Sequence, residues 1–151
     1  RIVIVTPYFI PDKGLLTALQ LAAAKGVEIT LVVPGHSDHP FVTWAARTFY
    51  EDLLSFGIRI YERRAPFLHA KVLVVDDVWA IVGSANMDVR SFRLNFEANL
   101  EVRSPTLIRA LLAAVQDEIQ HARLVDLATF RNRPLGVRVL ESACALFNPL
   151  L

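Results

Sequence analysis

The stretch "FLHAKVLVVDDVWAIVGSAN", residues 67–86, decides how this chain folds. Two apolar runs rich in valine flank Asp76 and Asp77, a pattern that reads as two strands joined by a tight turn, a β-hairpin. His69 and Lys71 stand at the entrance of the first strand with one residue between them, so an extended backbone turns both side chains the same way. Packing gives no reason for two basic groups there. Asp76 lies at an odd offset from His69, on the other strand face and at the hairpin end. It is expected to be a structural carboxylate that bonds turn amides.

On the amino-terminal side, "RIVIVT" is a β-branched run stopped by Pro7. Asp12 is a helix N-cap candidate, and leucines and alanines recur at helical spacing from there to Gly26. "VEITLVVP" gives a second strand. Ser37 or Asp38 is expected to cap a helix with Val42, Ala45, Ala46, Phe49, Tyr50 and Leu53 on one face before Gly57, and the strand "IRIYE" follows. On the carboxyl side, "NFEANLEV" reads as the last strand. Ser104 and Pro105 open a helix with Leu107, Ile108, Leu111, Leu112, Val115 and Ile119 along one side, and residues 134–151 read as a short amphipathic helix. Strand–helix alternation interrupted by one hairpin predicts an α/β fold: a mixed β-sheet flanked by helices on both faces. Residues 1–151 are expected to form a single domain.

The chain is 54% hydrophobic and 21% charged, with 16 Lys+Arg against 15 Asp+Glu, which argues against disorder and against a polybasic nucleic-acid binder. Cys144 is the single cysteine, so neither an intrachain disulfide nor a zinc framework is expected. No uncharged apolar run nears the roughly 20 residues of a spanning helix, and the segment reads as soluble or membrane-peripheral. A start at Arg1, inside a strand-like run and without an initiator Met, reads as a cut through a longer protein.

The positions at and beyond the hairpin combine into HxKxxxxD, six residues, then GSxN: His69, Lys71, Asp76, Gly83, Ser84 and Asn86. A phosphodiester is anionic and repels nucleophiles. A site for it must neutralise the phosphate, supply an attacking atom and protonate the departing oxygen. A neutral imidazole attacks phosphorus, or an imidazolium protonates the leaving alkoxide, but one ring cannot do both in one step. Two histidines are needed, one on each side of the phosphorus, and this motif holds one. Lys71, the amide donors of Asn86 and the hydroxyl of Ser84 suit phosphate oxygens. Gly83 reads as the place where the backbone passes close to the phosphate. The residues alone leave open which histidine attacks.

This spacing resembles the HKD motif of the phospholipase D superfamily. "TPYFIPD", "PGHSDHP", "FLHAK", "GSANMDVRSFRLNFE" and the closing helix are similar to the carboxyl-terminal half of bacterial cardiolipin synthases, over nearly the whole chain. The resemblance implies one phospholipase D-like catalytic half-domain that faces either a missing amino-terminal half or a second copy across a pseudo-twofold axis. It implies a phosphatidyltransferase that uses a phosphohistidine and no metal or other cofactor, with phosphatidylglycerol as the phospholipid acceptor. His69 would be the general acid of the first step and then the base, and the nucleophile would lie on the other half. Glu97 stands where the family carries an acidic residue, and would accept a bond from an imidazole N–H of its own or the partner half. Localisation at the bacterial cytoplasmic membrane follows, peripheral for this segment and with an upstream anchor in the full chain. The fragment alone would be weakly active or inactive.

Two rivals remain open: a homodimeric single-motif phosphodiesterase or nuclease, against which near-neutral charge weighs, and a non-catalytic module that binds phosphate or lipid head groups. Arg90 and Arg93 are placed to contact a lipid phosphate or to pair with acids such as Asp88; Arg90 is carried as a candidate substrate-binding residue. Helix capping explains His36, Asp38 and His39 better than a metal does. Tyr8 and Phe9 read as packing beneath the sheet. Arg123, Arg131, Arg133 and Arg138 form either an interfacial surface for anionic lipid or a solvated helix face.

Overall fold

A computed structural model describes residues 1–37 and 39–147. The elements in chain order are β1 (Ile2–Val5), β2 (Phe9–Ile10), α1 (Lys13–Ala24), β3 (Ile29–Pro34), α2 (Pro40–Arg47), α3 (Tyr50–Ser55), β4 (Arg59–Arg63) and β5 (Val72–Val75). They continue with β6 (Trp79–Gly83), β7 (Met87–Asp88), α4 (Val89–Arg93), β8 (Asn99–Val102), α5 (Pro105–Gln120), β9 (Ala122–Leu124), α6 (Leu127–Arg131) and α7 (Leu135–Ala145). Seven strands form one mixed sheet in the order β8-β6-β5-β1-β3-β4-β9, and β2 pairs with β7 in a separate two-stranded ribbon. Strands β1, β3 and β4 are parallel, while β5, β6, β8 and β9 join antiparallel.

The two-residue period of the strands builds two cores, one on each sheet face. Val3, Val5, Val32, Val72, Val74, Ala80 and Val102 pack against Ile108 and Val115 of α5. Ile4, Ile29, Leu31, Val33 and Ile60 point the other way, onto Leu19, Tyr50, Leu53 and Phe130 of α1, α3 and α6. Each fully buried aliphatic or aromatic side chain contributes about 1.5–3 kcal/mol, so these two layers hold the sheet. Helices cover both faces, as the alternation predicts.

Local details differ from expectation for physical reasons. The helix after β3 begins at Pro40 with His39 as a cap that makes no side-chain cap bond; Ser37 Oγ instead accepts from the His39 N–H at 3.0 Å, and Asp38 lies outside the described residues. It breaks at Thr48, whose hydroxyl bonds the Ala45 carbonyl at 2.7 Å. Strand β8 starts at Asn99 rather than Asn95, because Asn95 and Glu97 bond to one another and to neighbouring loops. It is also not the last strand, since three-residue β9 adds to the sheet beside β4. The tail forms α7, with the short α6 just before it, and residues 148–151 of the expected helix lie outside the described residues.

The basic stretch near the carboxyl end is chiefly structural. Arg47 bridges buried Glu62 at 3.0 Å and buried Glu141 at 2.9 Å; Arg133 bonds Glu141 at 2.8 Å and Arg123 bonds Glu62 at 2.6 Å. Arg131 pairs with Glu51 at 3.0 Å. The anionic-lipid reading therefore loses three of its four cations to carboxylates and keeps Arg138 alone.

Antiparallel pairing explains where the functional loops gather. Val5, at the carboxyl end of β1, sits opposite Val72, at the start of β5, and Val72 sits opposite Val82, near the end of β6. Residues before β5, after β6, after β1 and before β8 therefore share the edge at which the parallel strands end, the usual ligand edge of such sheets.

Candidate active site

The hairpin sets the first part of the site. Asp76 and Asp77 both adopt positive φ, +48° and +57°, which short polar side chains tolerate, and the Val78 N–H closes the turn onto the Val75 carbonyl at 3.2 Å. The ladder extends past the regular strands, with the Gly83 N–H donating to the Lys71 carbonyl at 3.2 Å. The HxK and GSxN ends of the motif thus meet across one ladder rung. The Asp76 carboxylate does not bond turn amides as expected. It meets the main-chain nitrogen of Arg1, while Asp77 accepts from Arg1 Nε at 2.7 Å, both at the end of the hairpin away from His69.

His69 is exposed while its neighbour Leu68 is buried, so the ring faces out of the core. It stands edge-on to Tyr8 with ring centroids 6.4 Å apart, and against Phe67 at 5.6 Å. Lys71 folds back so that Nζ donates to the His69 carbonyl at 3.0 Å, which fixes the ammonium beside the imidazole-bearing residue. Burial pushes the Lys71 pKa below its ordinary value, against the opposing pull of the Glu97 and Asp88 carboxylates. A partly dehydrated ammonium is a stronger ligand for a phosphate oxygen than one in bulk water.

Ser84, Glu97 and Gly83 are each tied to neighbouring parts of the chain. The Ser84 hydroxyl donates to Glu97 and accepts from the Ala98 N–H at 2.9 Å. Glu97 also accepts from Asn95 Nδ2 at 3.1 Å, and these two bonds, Ser84 first, hold its pKa below the usual value. Glu97 makes no bond to His69. A Cβ on Gly83 would lie 2.2 Å from Asn99 Oδ1, 2.4 Å from the Ala98 carbonyl and 2.7 Å from Asn99 Cα. The bare α-carbon is therefore required by the close approach of β8.

Asn86 is held by its N–H, which donates to Ser91 Oγ at 3.1 Å, and its side-chain Oδ1 is buried without a partner among the described residues. Its loop is tied to the end of β1: Thr6 Oγ1 accepts from the Met87 N–H at 3.2 Å and donates to the Tyr8 carbonyl at 2.8 Å. Arg90 is exposed and, among the described residues, its side chain bonds Asn95 Oδ1 at 3.4 Å, whereas Arg93 is drawn away to Asp12 at 3.1 Å. Phe9 is core, as expected, but Tyr8 is half-buried against His69 and belongs to the site. Its position just after a parallel strand was the signal available for it. Asn95 and buried Asp88 also join the site, and residue type alone gave no sign of either. Among the described residues, no group of three or more His, Cys, Asp or Glu is arranged to hold a metal ion. No helix among them is long and apolar enough to cross a membrane.

One exposed imidazole, one partly dehydrated ammonium and one amide face an open edge, with a carboxylate clamped behind them. Residues 1–121 match the family model described as cardiolipin synthase, PLD-like domain. The chain is 41% identical over 148 residues to a cardiolipin synthase of Geobacillus sp., covering 98% of this chain and 30% of that protein. It is 42% identical over 150 residues to the major cardiolipin synthase ClsA of Bacillus subtilis, covering 99% and 31%. The chain thus spans about three-tenths of the length of these curated relatives. Among solved structures it is similar to the phospholipase D family member Nuc from Salmonella typhimurium, with a TM-score of 0.69, 25% identity, and coverage of 82% of this chain and 80% of that one. The phosphatidylserine synthase of Haemophilus influenzae shares the fold with a TM-score of 0.76 at 19% identity, covering 99% of this chain and 41% of that one.

Proposed function

This chain belongs to the cardiolipin synthase PLD-like domain family, and from that premise we propose that it is one catalytic half of a phospholipase D-type phosphatidyltransferase. The whole protein moves a phosphatidyl group from one phospholipid to the hydroxyl of phosphatidylglycerol. The observation that carries this reading is the exposed ring of His69 with Lys71 fixed beside it at an open sheet edge.

In the first step an imidazole of the other half attacks phosphorus. A nitrogen–phosphorus bond forms as the bond to the donor's head-group oxygen breaks, and protonated His69 gives its proton to that oxygen. In the second step neutral His69 takes the proton of the acceptor hydroxyl, whose oxygen binds phosphorus as the nitrogen–phosphorus bond breaks. One phosphodiester replaces another, so no energy-rich co-substrate enters. Lys71 and the Asn86 amide hold the non-bridging oxygens as charge moves through them. Glu97, kept ionised by Ser84 and Asn95, orients an imidazole of the other half. The other half is supplied by the remainder of a longer chain or by a second copy, and the segment works peripherally at the bacterial cytoplasmic membrane.

The test uses the full-length protein with phosphatidylglycerol vesicles, following glycerol release, cardiolipin formation and acid-labile protein phosphate after rapid quenching. Equal amounts of glycerol and cardiolipin, both lost in His69→Asn, are expected. A second reading, a hydrolase of two single-motif subunits, draws on the similarity to Nuc over four-fifths of that chain. Nicking of labelled DNA without lipid turnover would establish it and overturn the first. Lipid binding with no turnover of either substrate would leave only a non-catalytic module.

A further inference from the structure

A cavity of about 360 Å³ adjoins the catalytic cluster, and Tyr8, His39, Asn86, Asp88, Arg90 and Asn95 are among the residues that line it. Tyr8 and Asn86 belong to both, so whatever occupies the cavity lies next to the reacting phosphate. Its buried wall and its exposed rim offer different chemistry. On the wall, Asn86 Oδ1 has no donor among the described residues, and the buried Asp88 carboxylate accepts from the Ser91 N–H at 2.6 Å. Buried acceptors of this kind call for donors from a ligand, and hydroxyl groups supply them. At the rim the Arg90 guanidinium is exposed, and its one side-chain bond among the described residues, Nε to Asn95, is a long 3.4 Å. Its terminal nitrogens are left for an anion.

We infer that this cavity binds the phosphoglycerol head group of the acceptor lipid, with the non-attacking glycerol hydroxyl against the wall formed by Asn86 and Asp88 and the non-reacting phosphate on Arg90. The inference rests on the reading above that the acceptor is phosphatidylglycerol. In such a transfer the acceptor carries a phosphate that takes no part in the chemistry, and Lys71 is already engaged with the phosphate that does. Asn86 joins the two halves of the reaction: its amide nitrogen serves the donor phosphate, while its oxygen receives the non-attacking hydroxyl and leaves the proton of the attacking one to His69. Free glycerol and water can donate to the wall but bring no anion to the rim, so the cavity favours the phosphate-bearing acceptor over either.

The test measures transfer by the full-length protein from a short-chain phosphatidyl donor to glycerol, to glycerol phosphate and to phosphatidylglycerol, with hydrolysis recorded alongside. Glycerol phosphate is expected to exceed glycerol in kcat/KM by about tenfold, the ratio expected of one charge-assisted contact. The ratio should fall to near unity in Arg90→Ala and be partly restored in Arg90→Lys. Because it is measured within one preparation, it does not depend on the fraction of folded protein. Val42, which also lines the cavity, provides a second variant: Val42→Trp fills the space and should raise KM for phosphatidylglycerol and the share of product formed by water. An unchanged ratio in Arg90→Ala overturns the inference while leaving transferase function intact. Arg90 dependence seen with glycerol phosphate but absent with phosphatidylglycerol overturns the lipid assignment. Hydrolysis with no transfer to any alcohol overturns the functional reading and the inference together.

Discussion

Replacing Gly83 by alanine separates two explanations of why the motif carries glycine there. The added methyl would meet the Ala98 carbonyl and Asn99 Cα at 2.4 and 2.7 Å, both main-chain atoms that no rotamer change can move. Carbon contacts relax only near 3.5 Å, so β6 and β8 must part by on the order of 1 Å. Gly83 pairs with Asn99 in the sheet, and the next rung, the Ser84 N–H to the Ala98 carbonyl at 3.0 Å, stretches with them. Overpacking of this kind costs about 1–3 kcal/mol and one weakened rung adds about 1 kcal/mol, while restriction of the unfolded chain returns roughly 0.4–1 kcal/mol. A net loss of about 2–3 kcal/mol corresponds to a fall in Tm of roughly 4–12 °C for a domain of this size. The same displacement moves Ser84 and hence Glu97, so transfer should decline with stability. Thermal unfolding and cardiolipin formation are measured on the same protein, and exchange of the Ser84 amide proton should quicken. A variant with wild-type Tm but abolished transfer would refute this reasoning and restore the view that Gly83 makes room for phosphate.

Other outcomes follow from the same geometry. Because the His69 ring is exposed, His69→Asn should change stability by less than about 0.5 kcal/mol while transfer falls by roughly 10²–10⁴-fold; substantial transfer by the variant would remove His69 from the chemistry. Lys71 must be charged to hold phosphate, so activity falls as pH rises through its lowered pKa, and the Glu97 charge holds that pKa up. Glu97→Gln should therefore shift the alkaline limb of kcat/KM to lower pH, and a shift upward would contradict the electrostatics. Glu141→Ala leaves Arg47 and Arg133 without their shared buried partner, which should cost about 3–5 kcal/mol in urea unfolding, whereas a loss under 1 kcal/mol would deny the network its role. Burial raises the Asp88 pKa, so the folded state holds that proton more firmly than the unfolded chain does, and this contribution fades as pH rises through the folded value. Asp88→Asn retains a side-chain oxygen to cap α4 and should flatten the decline in stability as pH rises above the ordinary aspartate range of about 4; an unchanged slope counts against it.

The parts of the fold that could be read from sequence are those in which one short pattern fixes one element. The hairpin, the three parallel strands and the helix opened by Ser104 and Pro105 each carry their own period and punctuation, and each is present. Strand β9 is three residues long, and the β2–β7 ribbon two residues per strand, too short for alternation to register. The site divides in the same way. His69, Lys71 and Asn86 are legible because the hairpin keeps them at fixed spacing. Ser84 and Gly83 were legible as positions, but their contacts with Glu97 and the β8 backbone were not, because these depend on how β8 docks against β6. The pairing of Arg123 with Glu62, 61 residues away, is invisible to composition for the same reason.

The contiguous motif and its scattered supports reflect a division of labour set by the main chain. Lys71 is positioned through the His69 carbonyl and its own carbonyl, both backbone atoms, so the imidazole and ammonium keep their spacing whatever side chains surround them. Tyr8, Asn95 and Glu97 arrive from other loops of the same edge, and they act on what the hairpin already holds: an aromatic edge against His69, a carboxylate that steadies the charge of Lys71, and an amide beside Arg90. Changing these loops should alter which alcohol is accepted and at what pH, while changes to the ladder itself should remove the chemistry altogether. In that respect the discriminating measurement is the ratio between acceptors and not the overall rate, because only the loops distinguish one hydroxyl from another.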